Sequence, residues 1–160
     1  TMLTTCKTAQ ERWGGVHRLI DCWLGSRQAL IVQYCNLSSG KPLSAESPLA
    51  DTLSRFCESL MDYCSHGHFE VYDQLIAEAR EYGDDNGIEL ANSIVPKLDE
   101  LTSRCVDFND TYDEHCTFDM LAKLPEDLSG IGELLEERFE LEDQLIAKLH
   151  NIHQQPAEAV

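Results

Sequence analysis

Three charges stand where the pattern calls for apolar residues. Leu128, Leu135, Glu142 and Leu149 repeat every seven residues, as do Ile131, Arg138, Leu145 and Ile152. Arg138 and Glu142 therefore fall on or beside the inward face of a helix, one turn apart. Arg27 occupies the same sort of slot in the series Trp13, Ile20, Arg27, Tyr34. A buried charge without a partner is strongly unfavourable, so these groups must pair or lie at an opening. Two arrangements satisfy that demand. One is a structural ion pair of Glu142 with Arg138 or Arg27; the other is a polar pocket at the bundle surface, completed by His68. The spacing allows both.

Other chemistry finds less support. Di-iron bundles use Glu-x-x-His motifs on two helices, and no Glu here has a His three positions on. His66 and Glu70 are four apart with Gly67 between them, and His150 and His153 share a turn without a carboxylate near in sequence. The seven cysteines, at 6, 22, 35, 57, 64, 105 and 116, contain no CxxC pair; they read as reduced thiols, mostly packed on apolar faces. Nothing marks an oxyanion hole for a Cys64 nucleophile with His66 or His68, and no Gly-rich phosphate loop is present. No cofactor is expected. A metal-binding or enzymatic four-helix bundle stays as the rival class.

The elements that must position these residues are helical almost throughout. Trp13, Val16, Ile20, Trp23, Leu30 and Tyr34 form the first stripe, ending near Leu37 before the loop Ser38-Ser39-Gly40-Lys41-Pro42. A second helix, capped at Ser47 or Asp51, carries Leu53, Phe56, Cys57, Leu60 and Cys64 inward, and Ser65-His66-Gly67 interrupts it. A third places His68, Tyr72, Leu75 and Ala79 on one line, with Phe69 and Ile76 beside it. Gly83-Asp84-Asp85-Asn86-Gly87 reads as a turn. The fourth helix, Ala91 to Tyr112, contains Pro96, which should kink it. A polar joint at 113–117 and a short helical stretch lead to a long last helix with Pro125 in its first turn. The tail from Gln154 is expected to fray. The prediction is an all-α, up-down bundle of four long helices with additional short ones, one domain over residues 1–153. Trp13, Ile20, Phe56, Leu60, Leu75, Leu98, Leu101, Leu135 and Leu149 should share its core.

The net charge is −17, and it is uneven. Residues 1–50 carry five basic and three acidic side chains, net +2, whereas residues 51–160 carry seven and 26, net −19. Such a surface disfavours direct nucleic-acid binding and speeds encounter with basic partners. No apolar run is long enough for a membrane span, and the polar start lacks a signal-peptide core, so a cytoplasmic chain is expected. Asp62 shares a face with Asp51, Arg55, Glu58 and Ser59, away from Phe56 and Leu60, and should be exposed.

Asp21-Cys22-Trp23-Leu24 with Arg27, Leu30, Tyr34, Asn36 and Leu37 resembles the first helix of the Rsd/AlgQ family. Phe56-Cys57-Glu58-Ser59-Leu60-Met61-Asp62-Tyr63, then Ser65, Gly67-His68-Phe69 and Tyr72, is similar to that family's central signature. Ile131-Gly132-Glu133, Glu137-Arg138-Phe139, Leu141-Glu142-Asp143 and Leu145-Ile146 resemble its last helix. The pseudomonad AlgQ branch looks closest, through Glu11-Arg12-Trp13-Gly14-Gly15-Val16-His17. The resemblance implies an anti-sigma factor that covers the C-terminal, promoter-recognising domain of the primary sigma factor of RNA polymerase. Regulation of alginate production and virulence is implied for the pseudomonad branch, and the phosphocarrier HPr is a further partner implied for enterobacterial members. The family's sigma-binding aspartate falls on Asp62, and its conserved surface on Arg27, His68 and Glu142, with Asp21 and Trp23 as further contacts. Cys22 departs from the family, whose members usually carry a basic residue there.

Overall fold

A computed structural model of the chain describes residues 9–38, 49–112 and 118–154. The Ser47 cap, Cys6, Cys116, the joint at 113–117 and most of the first loop and of the tail lie outside the described residues. Those described form helices α1 (Ala9–Ser38), α2 (Leu49–His66), α3 (Tyr72–Glu81), α4 (Asp85–Thr111), α5 (Phe118–Leu121) and α6 (Leu124–Leu149). A π-helical turn, Gly67–Val71, joins α2 to α3, and a 3₁₀ turn, Asn151–His153, follows α6. No strand occurs among the described residues.

Four rods make the bundle: α1, the composite α2–π–α3, α4 and α6. Both α1 and α4 contact the composite rod and α6. The core joins Val16, Ile20, Trp23 and Leu30 of α1 to Phe56, Leu60 and Leu75 of the composite rod. Leu98 and Leu101 of α4 and Leu135 and Leu149 of α6 complete it. Eight of the nine predicted core residues are buried; Trp13 is only half-buried, at the bundle's edge. Cys57, Cys64 and Cys105 are packed inside, whereas Cys22 and Cys35 are exposed.

The break expected at Ser65-His66-Gly67 does not occur. The helix runs through it, absorbing one extra residue as a π turn. Gly67 permits close packing there: a Cβ at this position would lie 3.1 Å from Trp23 Cζ2 and from the Tyr72 hydroxyl. The rod ends at Gly83, whose φ of 65° is the left-handed conformation that glycine adopts freely. The turn is shorter than expected, because α4 already begins at Asp85, with the Asp84 carboxylate accepting from Gly87 N–H at 2.9 Å. Pro96 lies within a continuous α4 and is exposed. Pro125 sits in the first turn of α6, as its spacing predicts.

Candidate functional site

Glu142 of α6 lies at the centre of the bundle with no exposed surface. Its Oε1 accepts from the Tyr63 hydroxyl of α2 and its Oε2 from the Tyr72 hydroxyl of α3, both at 2.6 Å. Two guanidiniums complete its surroundings. Arg138 Nε, one helical turn away and equally buried, stands 3.2 Å from Oε2, without hydrogen-bond alignment. Arg27 Nη2 of α1 stands 3.4 Å from Oε1. The tyrosines relay this pairing: Tyr63 Oη accepts from Arg27 Nε at 3.0 Å, and Tyr72 Oη from Arg138 Nη2 at 2.9 Å. Arg138 Nη1 donates to Thr102 Oγ1 at 2.8 Å, tying α4 in as well.

Burial pushes the Glu142 carboxyl upward, against the opposing pull of Arg138, the two phenols and Arg27. Burial also works against the charge of Arg138, yet Glu142 holds that guanidinium above its ordinary value. Tyr63 and Tyr72 are raised by burial and by Glu142, which keeps both as neutral donors. The structural ion pair is thus what the chain builds, and it includes both arginines. His68 is not among the groups that bond Glu142; its Nδ1 meets Asp99 of α4 at 3.0 Å.

Arg27 is the network's route to the surface. Its Nη1 donates to Asp143 Oδ1 at 2.7 Å, and its guanidinium lies over the Phe139 ring at 4.6 Å. Trp23 is wholly buried, stacked on Tyr63, with its Nε1–H donating to the Tyr63 carbonyl at 3.3 Å. Asp21 is exposed, 3.7 Å from His17. Of the six residues singled out by sequence, Arg27 and Glu142 come into contact, Trp23 backs them through Tyr63, and Asp21, Asp62 and His68 lie elsewhere on the surface.

Asp62 belongs to a different feature. One line of exposed positions on the composite rod runs Asp51, Arg55, Glu58, Asp62, Ser65, Phe69 and Asp73, three or four residues apart. Phe69 is 75% exposed, far more than any other large apolar side chain on this rod. The sequence places it beside the inward line, because an expected break at Ser65-His66-Gly67 lets the third helix take its own phase; the continuous rod instead keeps Phe69 on the face of Asp62, seven residues before it. Tyr63 and Tyr72 were missed as polar partners because they sit on apolar faces, and only a tyrosine's need to satisfy its buried hydroxyl hints at the role.

No group of three or more potential metal ligands occurs among the described residues. No described helix is long and apolar enough to cross a membrane. The arrangement is a rigid scaffold presenting an acidic, partly apolar face. Over residues 2–150 the chain matches the family described as "Regulator of RNA polymerase sigma(70) subunit, Rsd/AlgQ". It is 40% identical over 153 residues to a "Regulator of sigma D" of Yersinia pseudotuberculosis, covering 91% of this chain and 87% of that one. The same-named protein of Yersinia enterocolitica is 37% identical, covering 91% and 88%. That of an Enterobacter species is 39% identical, covering 91% and 88%. No solved structure is matched.

Proposed function

From the premise that this chain belongs to the Rsd/AlgQ family of regulators of the RNA polymerase sigma(70) subunit, we propose that it docks the C-terminal, promoter-recognising domain of that subunit on the acidic stripe of α2–π–α3. The family is a regulatory one, and the protein is a transcription regulator of the anti-sigma type. The finer reading is carried by one observation: Asp62 and Phe69 are exposed in series on one helical face, with Glu58 and Asp73 flanking them. A domain that grips DNA phosphates presents lysines and arginines. A carboxylate stripe competes for such a face, and an apolar anchor between Asp62 and Asp73 supplies the area that charge alone does not. The net −19 of residues 51–160 steers the encounter. Binding there withdraws the sigma domain from the promoter, in the cytosol where polymerase works.

Arg27 and Glu142 support this face from behind, fixing Tyr63 and Tyr72 on either side of the π turn. The test is titration of purified sigma C-terminal domain into the parent and Asp62→Ala, at two salt concentrations, with HPr as the comparison partner. Equal affinities for the two proteins would refute the assignment of Asp62. Tight binding of HPr with none of the sigma domain would replace the partner.

A further inference from the structure

A second buried polar cluster lies at the other end of α3, outside the sigma-binding reading. Glu78 has no exposed surface, and three elements converge on it. His150 Nδ1, at the end of α6, is 2.8 Å from Glu78 Oε1, and His153 Nδ1, in the following 3₁₀ turn, is 3.2 Å from Oε2. The other nitrogen of His153, Nε2, is 2.9 Å from Asp84 Oδ2 in the α3–α4 turn. His150 Nε2 faces His17 Nδ1 of α1 at 3.1 Å, and Asp21 stands 3.7 Å from His17 Nε2. The remaining charges about Glu78 are Arg12 of α1 and Glu81 of α3, which pair with each other at 2.7 Å. Tyr82 covers the face of His153, stacked at 4.5 Å.

The geometry fixes a proton count. His150 is neutral, because burial draws it down to about 4; it donates from Nδ1 to Glu78 and accepts at Nε2 from His17. His153 is different. Each of its ring nitrogens faces a carboxylate oxygen, and a neutral imidazole has one N–H and one lone pair. With Glu78 and Asp84 both ionised, that lone pair would point at an anion. The contacts close only with one more proton, on His153 or on a carboxyl. Burial pushes Glu78 up to about 7, against the lowering effect of His153 and Arg12, so the cluster can hold that proton near neutral pH.

We propose that Glu78, His153 and Asp84 form a proton-held clasp that fastens the end of α6 to α3 and to the α3–α4 turn, and that it loosens when the shared proton leaves. The sign follows from linkage. A raised carboxyl stabilises the fold fully below its ordinary range, and the contribution is lost as pH rises through about 7. His150, lowered to about 4, works oppositely between that value and the ordinary histidine range. The two largely offset each other in mild acid, and the loosening shows around neutral pH. Its first effect falls on Trp13, which stacks on His17 and His150 and donates Nε1–H to the His150 carbonyl at 2.8 Å.

The two tryptophans make the test internally controlled. In ¹⁵N-labelled protein, the Trp13 indole N–H reports the clasp and the Trp23 indole N–H, bonded inside the core, reports the bundle. Asp84→Asn keeps the cap to Gly87 through its oxygen and offers an N–H to His153 Nε2, so every contact closes with one proton fewer. Between about pH 6 and 8.5 the Trp13 signal should move further in the parent than in Asp84→Asn, while Trp23 stays in place. Glu78→Gln should likewise flatten the curve; if it does not fold, Asp84→Asn decides alone. Identical Trp13 curves for parent and Asp84→Asn, or both indole signals moving together, would overturn the clasp.

Discussion

The charges at Glu142 and the charges around Asp62 are made of the same residue types and do opposite work. At Glu142 a carboxylate, two guanidiniums and two phenols satisfy one another with almost no exposed surface. Along Glu58, Asp62 and Asp73 the carboxylates are exposed beside an equally exposed Phe69. Apart from the link of Arg27 to Asp143 at the surface, the buried set is satisfied from within and holds helices in place. The exposed set is left for a partner to satisfy. A charge that interrupts an apolar stripe is therefore the sign of scaffolding here, and the proposed contact surface is the face that breaks no pattern.

That contrast is open to direct attack. The largest effect should come from Glu142→Leu, which strands Arg138 in the core and orphans two phenols. Unfolding in urea should show a loss of about 3–5 kcal/mol, the cost of breaking a buried pair. A loss below about 1 kcal/mol would mean that the network does not hold the bundle together. Asp62→Ala should instead leave urea unfolding unchanged and weaken sigma-domain binding by roughly 2–4 kcal/mol, mainly through faster dissociation. Phe69→Ala sharpens the same point for apolar contact. Calorimetric titration should find binding weaker by about 1–2 kcal/mol, with stability within about 0.5 kcal/mol of the parent. A substantial loss of stability from either surface change would erase the distinction between the two regions. The smallest effect belongs to Glu100, exposed on α4. Glu100→Ala should change binding by less than about 1 kcal/mol, as expected of a screened peripheral charge.

Much of this was legible in the residue order. Seven-residue spacings in α6, as far as Leu149, and the run from Ala91 to Tyr112 in α4 place the core correctly, because those helices keep one period; Ile152, the last of its series, lies past the end of α6 in the 3₁₀ turn and is exposed. That Glu142 pairs with Arg138 or Arg27 follows from the rule that buried charges need partners, whereas the part played by both arginines, and the choice between ion pair and pocket, depends on the packing of α1 against α6. Two features were hidden for physical reasons. The exposure of Phe69, seven residues after Asp62 on the same face, is masked by the break expected at Ser65-His66-Gly67, which phases the third helix from His68 and not from α2. The histidines at 150 and 153 show no carboxylate nearby because theirs, Glu78, lies 72 and 75 residues away. A tertiary partner at that distance leaves no local trace.

The π turn also acts as a phase absorber. It takes in one surplus residue within a single wide turn, and the helix on either side keeps its facing. Deleting one residue from Gly67–Val71 should therefore leave Tyr72 on Glu142 and Glu78 on its histidines. An α-helix advances by about 100° per residue, so the same deletion within the regular stretch 73–77 would swing Glu78 away from its histidines by about that angle. The rod thus has one place where its length can change by a residue without turning either buried cluster.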